Sequence, residues 1–126
     1  MKTIFITGAT SGIGKATAIL LAKQKNRLIL CGRNKTILEE LKTELSKETE
    51  VFTLSFDVRN SDEVFSAINS LPENWKNIDV LINNAGNAHG LDPISEGNID
   101  DWNSMMDGNV KGLLYVSQPI IKLMKA

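Results

Sequence analysis

The 126-residue chain has a single cysteine, a single histidine, a single tyrosine and three prolines. One cysteine, Cys31, cannot form an intrachain disulfide, and the easy reading is a reducing, cytoplasmic home. No apolar run approaches the roughly 20 residues of a membrane span. The start, Met1-Lys2-Thr3-Ile4-Phe5-Ile6-Thr7, has only three consecutive apolar residues after its lysine, which does not fit a secretory signal. Neither sign of charge dominates: 14 basic residues against 15 acidic ones leave a net charge of -1. Such a balance argues against the basic stripe of a nucleic-acid surface. No cysteine–histidine cluster has metal spacing, so no metal is expected. Glycine, proline and serine form no linker, and neither an internal repeat nor a low-complexity tract occurs.

What remains is an ordinary globular composition, 42% hydrophobic and 23% charged, in a length suited to one domain over residues 1–126. Short apolar runs alternate with segments of helical period. Strands are expected at Thr3–Thr7, Arg27–Cys31, Val51–Phe56 and Ile78–Ile82. Helices are expected over about Ile13–Gln24, around Ile37, Leu38, Leu41 and Leu45, and from Asn60, with Glu63 three residues on, through Val64, Phe65, Ile68 and Leu71. After a loop from Asn83 to Asn98, a last helical stretch carries Met106, Val110, Leu113, Leu114, Ile120, Ile121 and Met124. Pro119 should bend or interrupt it. Strands that are apolar on both sides and alternate with helices predict an α/β fold: a doubly wound parallel sheet, order 3-2-1-4, covered by helices on both faces. The charged residues of the second helix, among them Glu39, Glu40, Lys42, Glu44 and Lys47, read as a solvated face.

The segment Thr7-Gly8-Ala9-Thr10-Ser11-Gly12-Ile13-Gly14 follows a strand and opens a helix. Gly8 is expected to make the tight turn, Gly12 to admit a pyrophosphate to the backbone, and Gly14 to let the helix pack closely. Phosphates would then face the first-turn N–H groups at the positive end of the helix. A simple strand–helix turn is the bland alternative. At the end of the second strand an NAD-binding chain usually carries Asp or Glu for the ribose 2′-hydroxyl. Here Arg33 stands nineteen residues after Gly14, between Cys31-Gly32 and Asn34, with no carboxylate. A guanidinium fork matches a 2′-phosphate, so NADP is the expected cofactor. A solvated surface arginine is the other reading. Ser11 could add a hydroxyl contact to that phosphate, and Lys15 charge.

The TGxxxGxG spacing, Asp57-Val58 after the third strand, Asn83-Asn84-Ala85-Gly86 after the fourth, and Asn109 in Gly108-Asn109-Val110-Lys111-Gly112 occur in that order. Together they resemble the single-domain branch of the short-chain dehydrogenase/reductase family, whose fold is the Rossmann sheet. The segments Ser70–Asp79 and Asp101-Trp102 are similar to those of NADP-dependent 3-hydroxy acid (serine/allo-threonine) dehydrogenases, although Trp75 and Trp102 also suit plain packing. The resemblance implies cofactor contacts from Gly8, Thr10, Ser11, Gly12, Ile13, Gly14 and Arg33. It further implies that Asp57 bonds the adenine amino group beside Val58, and that Asn83, Ala85 and Gly86 shape the loop under the adenosine ribose. It gives Asn109 a catalytic place, holding a water in the proton relay, and points to a dimer or tetramer built on that helix.

The family's tyrosine and lysine lie in YxxxK. Tyr115 is followed four residues on by Pro119, so it reads as a packing residue. The catalytic serine, tyrosine and lysine are expected outside these 126 residues, which would make this the cofactor half of a longer enzyme, inactive alone. His89 reads as a solvent-facing loop residue rather than a catalytic group. A non-catalytic nucleotide-binding module and a structural remnant stay open as alternatives. Coding sequence beyond Ala126 would separate the first reading from these two, and titration with NADPH would separate the two from each other.

Overall fold

The computed structural model describes residues 1–86 and 93–126. Strand β1 (Thr3–Ile6) leads into helix α1 (Gly12–Lys23), β2 (Arg27–Gly32) into α2 (Lys35–Leu45), and β3 (Val51–Ser55) into α3 (Ser61–Asn69). A 3-10 turn at Glu73–Trp75 precedes β4 (Val80–Ile82). Another at Ile94–Glu96 precedes α4 (Ile99–Met106), a π-helical turn (Asp107–Lys111) and α5 (Gly112–Lys125). The four strands are parallel and ordered β3-β2-β1-β4, as the apolar pattern predicts.

Because side chains alternate along a strand, β1 and β2 feed two cores. Ile4, Ile6, Leu28 and Leu30 meet Ala18 and Ala22 of α1 and Leu38, Leu41 and Leu45 of α2. Phe5, Ile29 and Cys31 meet Val64 and Ile68 of α3 and Val116 and Ile120 of α5. Helices therefore cover both faces, and the carboxyl ends of the strands open on one rim, where α/β sheets bind ligands. At the opposite rim Trp75 is a packing anchor: the Arg27 guanidinium lies 3.9 Å from its ring centroid, and Phe52 packs against it at 5.6 Å.

The last helical region begins at Ile99, directly after the expected loop. Asn98 caps it, its side chain accepting from the Asp100 and Asp101 N–H groups at 2.7 and 3.4 Å. That region is also two helices joined by a π turn, a feature that apolar spacing does not encode. Finally, Pro119 lies inside α5 without interrupting it. The missing Pro119 N–H costs one helical bond, but Val116 and Ile120, fully buried on either side, hold the segment against the sheet. Tyr115 packs edge-on against Phe65 at 6.4 Å. Most of the apolar residues expected in this stretch, namely Met106, Val110, Leu113, Leu114, Ile121 and Met124, are exposed. His89 lies outside the described residues. Among those residues no helix is long and apolar enough to cross a membrane.

Candidate functional site

A cleft of about 420 Å³ opens at the carboxyl ends of β1, β2, β3 and β4. Thr7, Gly8, Thr10, Ser11, Gly12 and Ile13 form one wall; Arg33, Asp57, Val58, Arg59 and Ala85-Gly86 line the others. The volume falls in the range of about 300–1,000 Å³ usual for small-molecule sites.

The glycines shape the first wall in three different ways. Gly8 and Gly12 hold φ of +64° and +55°, a region that side-chain-bearing residues rarely enter. A Cβ on Gly12 would meet nothing within 4 Å, so the backbone there stands open to the cleft. Gly14 faces the other way: a Cβ would run into the Gly8 carbonyl oxygen and the Asn84 amide. Its absent side chain thus lets α1 pack on the turn and on the loop after β4. Ser11 is the N-cap residue of α1, yet its side chain makes no capping bond. Thr10 packs its methyl group over Gly32, which a Cβ would approach to 2.8 Å. Lys15 is exposed and does not line the cleft.

A polar clamp joins that turn to the loop after β4. The buried Thr7 hydroxyl accepts from the Asn84 and Ala85 N–H groups at 3.0 and 2.9 Å. The Asn84 amide donates to the Gly8 carbonyl at 3.1 Å. Sequence reasoning placed Asn83, not Asn84, at the cofactor; the Asn83 amide donates to Ser117 Oγ on α5 at 2.9 Å, and of the two asparagines Asn84 lines the cleft. Neighbouring residues leave a strand end on opposite sides, and only the phase of β4 decides which asparagine faces the turn.

At the end of β2, Asn34 is engaged as the cap of α2, its side chain accepting from the Ile37 N–H at 3.1 Å. Arg33 beside it is exposed, lines the cleft and forms no ion pair among the described residues. Cys31 lies on the cleft floor, where burial pushes its thiol up and keeps it protonated and unreactive. At the end of β3, Arg59 grips Asp57 and holds its carboxyl below the usual range, through hydrogen bonds first and charge second, against an opposing effect of burial. The nearby Arg33 charge acts in the same direction. Val58 packs under α5, where a Cβ on Gly112 would approach it to 2.8 Å. Gly108 of the π turn lines the cleft, and Asn109 Oδ1 lies so close to Gly86 that a Cβ there would stand 2.5 Å away.

A glycine turn opening the first helix, a cleft at the switch between β1 and β4, and an Asn-Asn-Ala-Gly loop clamped to that turn define a dinucleotide-type α/β site. The family model for short chain dehydrogenases matches residues 2–126, and the chain belongs to that family. It is 39% identical over 118 residues to the NADP-dependent 3-hydroxy acid dehydrogenase YdfG of Salmonella typhi, covering 94% of this chain and 47% of that protein. Against sulfoacetaldehyde reductase 2 of Chromohalobacter salexigens it is 42% identical with the same coverage, 94% and 47%. Its structure is similar to the closed form of serine dehydrogenase complexed with NADP+, with a TM-score of 0.88, 38% identity, and coverage of 97% of this chain and 48% of that one. The chain therefore spans about half the length of the relatives it matches.

Proposed function

We propose that these residues are the NADP(H)-binding portion of an oxidoreductase that moves a hydride between the cofactor and a small 3-hydroxy acid or related alcohol or carbonyl. The observation that carries the cofactor assignment is Arg33: a cleft-lining guanidinium with no ion-pair partner among the described residues, at a strand end without a carboxylate. The open backbone at Gly12 and the first-turn N–H groups of α1 suit a pyrophosphate. Ser11, its hydroxyl not engaged in capping, suits the same phosphate as Arg33. Asp57 and Val58 suit the adenine, and Ala85 and Gly86 the ribose.

Nicotinamide, when bound, supplies or accepts the hydride. In this reading, which rests on the family resemblance, Asn109 beside Gly86 holds a water in the proton relay, and the serine, tyrosine and lysine of the chemistry are contributed from outside these residues. The 3-hydroxy acid assignment rests on the named activity of the YdfG and serine dehydrogenase relatives. The exposed apolar residues of α4, the π turn and α5 support assembly with a second copy through that face.

The test is calorimetric titration of NADPH and NADH into the wild-type chain and Arg33→Asp. Losing a charge-assisted contact to the 2′-phosphate should weaken NADPH binding by about 10–100-fold and shift preference towards NADH. Unchanged relative affinities would remove the assignment of Arg33.

A further inference from the structure

Asp57 does not stand alone in the cleft. Its Oδ1 accepts from the Arg59 backbone N–H at 3.0 Å and from Nε at 3.1 Å, and its Oδ2 accepts from Nη2 at 2.7 Å. A longer contact from Nε to Oδ2, 3.2 Å, is the second arm of a shared hydrogen. A carboxylate has about four acceptor positions. Three N–H groups of one residue therefore occupy most of them, and the open one is on Oδ2. The remaining arm of the fork, Nη1, donates to Ser104 Oγ on α4 at 3.1 Å. Asp107, in the π turn after α4, adds an attractive charge for the same guanidinium. Both members of the pair line the cleft, with side chains 25% exposed for Asp57 and 37% for Arg59.

We propose that Arg59 is a positioning residue for purine recognition: its fork fixes the plane of the Asp57 carboxylate, leaves one acceptor site open, and anchors that arrangement to α4 through Ser104. The inference deepens the reading of the cleft as an NADP(H) site and rests on it. A carboxylate held this way can only accept. It favours a purine edge bearing an amino donor, as in adenine, over one bearing a carbonyl, as in hypoxanthine, whose oxygen would face the carboxylate oxygen with no proton between them. Without the fork, Asp57 turns freely about its χ angles and is less fixed towards either edge.

The experiment titrates NADPH and its hypoxanthine counterpart, reduced nicotinamide hypoxanthine dinucleotide phosphate, into the wild-type chain, Arg59→Met, Arg59→Lys and Ser104→Ala. The quantity read is the ratio of the two affinities, which a general loosening of the fold would not move in one direction. The wild type should prefer the adenine form by about tenfold or more. Arg59→Met should bring the ratio near one, Arg59→Lys should retain part of it, and Ser104→Ala should lower it about two- to threefold. An undiminished ratio in Arg59→Met, or tighter NADPH binding there, overturns the proposal. Should Arg59→Met fail to fold, an undiminished ratio in both Arg59→Lys and Ser104→Ala overturns it equally. A wild type that binds both purines alike sinks the Asp57–Arg59 inference while leaving the NADP(H) site standing. A wild type that binds neither removes the parent reading and this one with it.

Discussion

The turn after β1 and the α4–α5 arm both border the cleft, yet they are held there by different means. Around the turn, contacts are polar and part-buried: Thr7 and Asn84 bind backbone groups on both sides, and Gly14 sits directly against the Gly8 carbonyl and the Asn84 amide. The arm is attached mainly through an apolar stripe, Val116 and Ile120 flanked by Tyr115 and Leu123, and otherwise through contacts at single residues, among them Ser117 to Asn83, Ser104 to Arg59, Gly112 to Val58 and Asn109 to Gly86. Its outer face stays apolar and exposed at Val110, Leu113, Leu114 and Ile121. A wall that presents backbone N–H groups to phosphates needs its backbone fixed, whereas an arm that meets the cleft through side chains can shift by fractions of an ångström.

One added methyl group can test that contrast at two places. Gly14 and Gly112 each lie within the first three residues of a helix, so alanine brings both a similar gain in backbone propensity, up to about 1 kcal/mol. What differs is the obstacle. In Gly14→Ala the methyl collides with the Gly8 carbonyl and the Asn84 amide, so the turn or the β4 loop must move. We expect a net loss of about 2–3 kcal/mol in unfolding free energy and no measurable NADPH binding by calorimetry. In Gly112→Ala the nearest atom is Val58 Cγ2 at 2.8 Å, with Val58 Cβ at 3.0 Å and its carbonyl at 3.1 Å. A small displacement of α5 accommodates that, so chemical denaturation should show a change within about 1 kcal/mol and NADPH affinity should fall only a fewfold. Equal effects at the two positions would erase the distinction between wall and arm.

The same contrast divides what was legible in the sequence. The turn could be read because its requirements are local: glycines at positions 8, 12 and 14 of a strand–helix junction have few other reasons to be there. The sheet order could be read too, since apolar runs alternating with helical periods leave few parallel topologies. Asn84 could not be told from Asn83 without the phase of β4. Arg59 stayed hidden because nothing in the sequence says that its fork folds back on Asp57, two residues before it, and its bond to Ser104, 45 residues away, follows no spacing rule. The start of α4 after Asn98 was legible, and Asn98 followed by Asp100 and Asp101 supplies its physical reason, a cap with acidic first-turn residues. Pro119 does not interrupt α5, because a local rule lost to tertiary packing at Val116 and Ile120.

The smallest expected effect concerns acid. Arg59 holds the folded-state Asp57 carboxyl below its unfolded value, chiefly through hydrogen bonds. A depressed carboxyl contributes stability that is complete above the unfolded value, about 3.9 for aspartate, and is lost as the pH falls through the folded one. Since the two side chains are 25% and 37% exposed, solvent screens the pair and the contribution should stay below about 1 kcal/mol. Glu48, lowered by Lys25, loses its own contribution over a similar range, so the wild-type curve alone cannot isolate Asp57. The difference between wild type and Arg59→Met can, because the Lys25–Glu48 pair is common to both. Urea unfolding from pH 7 down to about pH 2 should show the stability gap between them narrowing only below the ordinary aspartate range. A gap that stays constant to the acid end would mean that Arg59 acts through its packing and its bond to Ser104, and that its charge on Asp57 adds nothing to the fold.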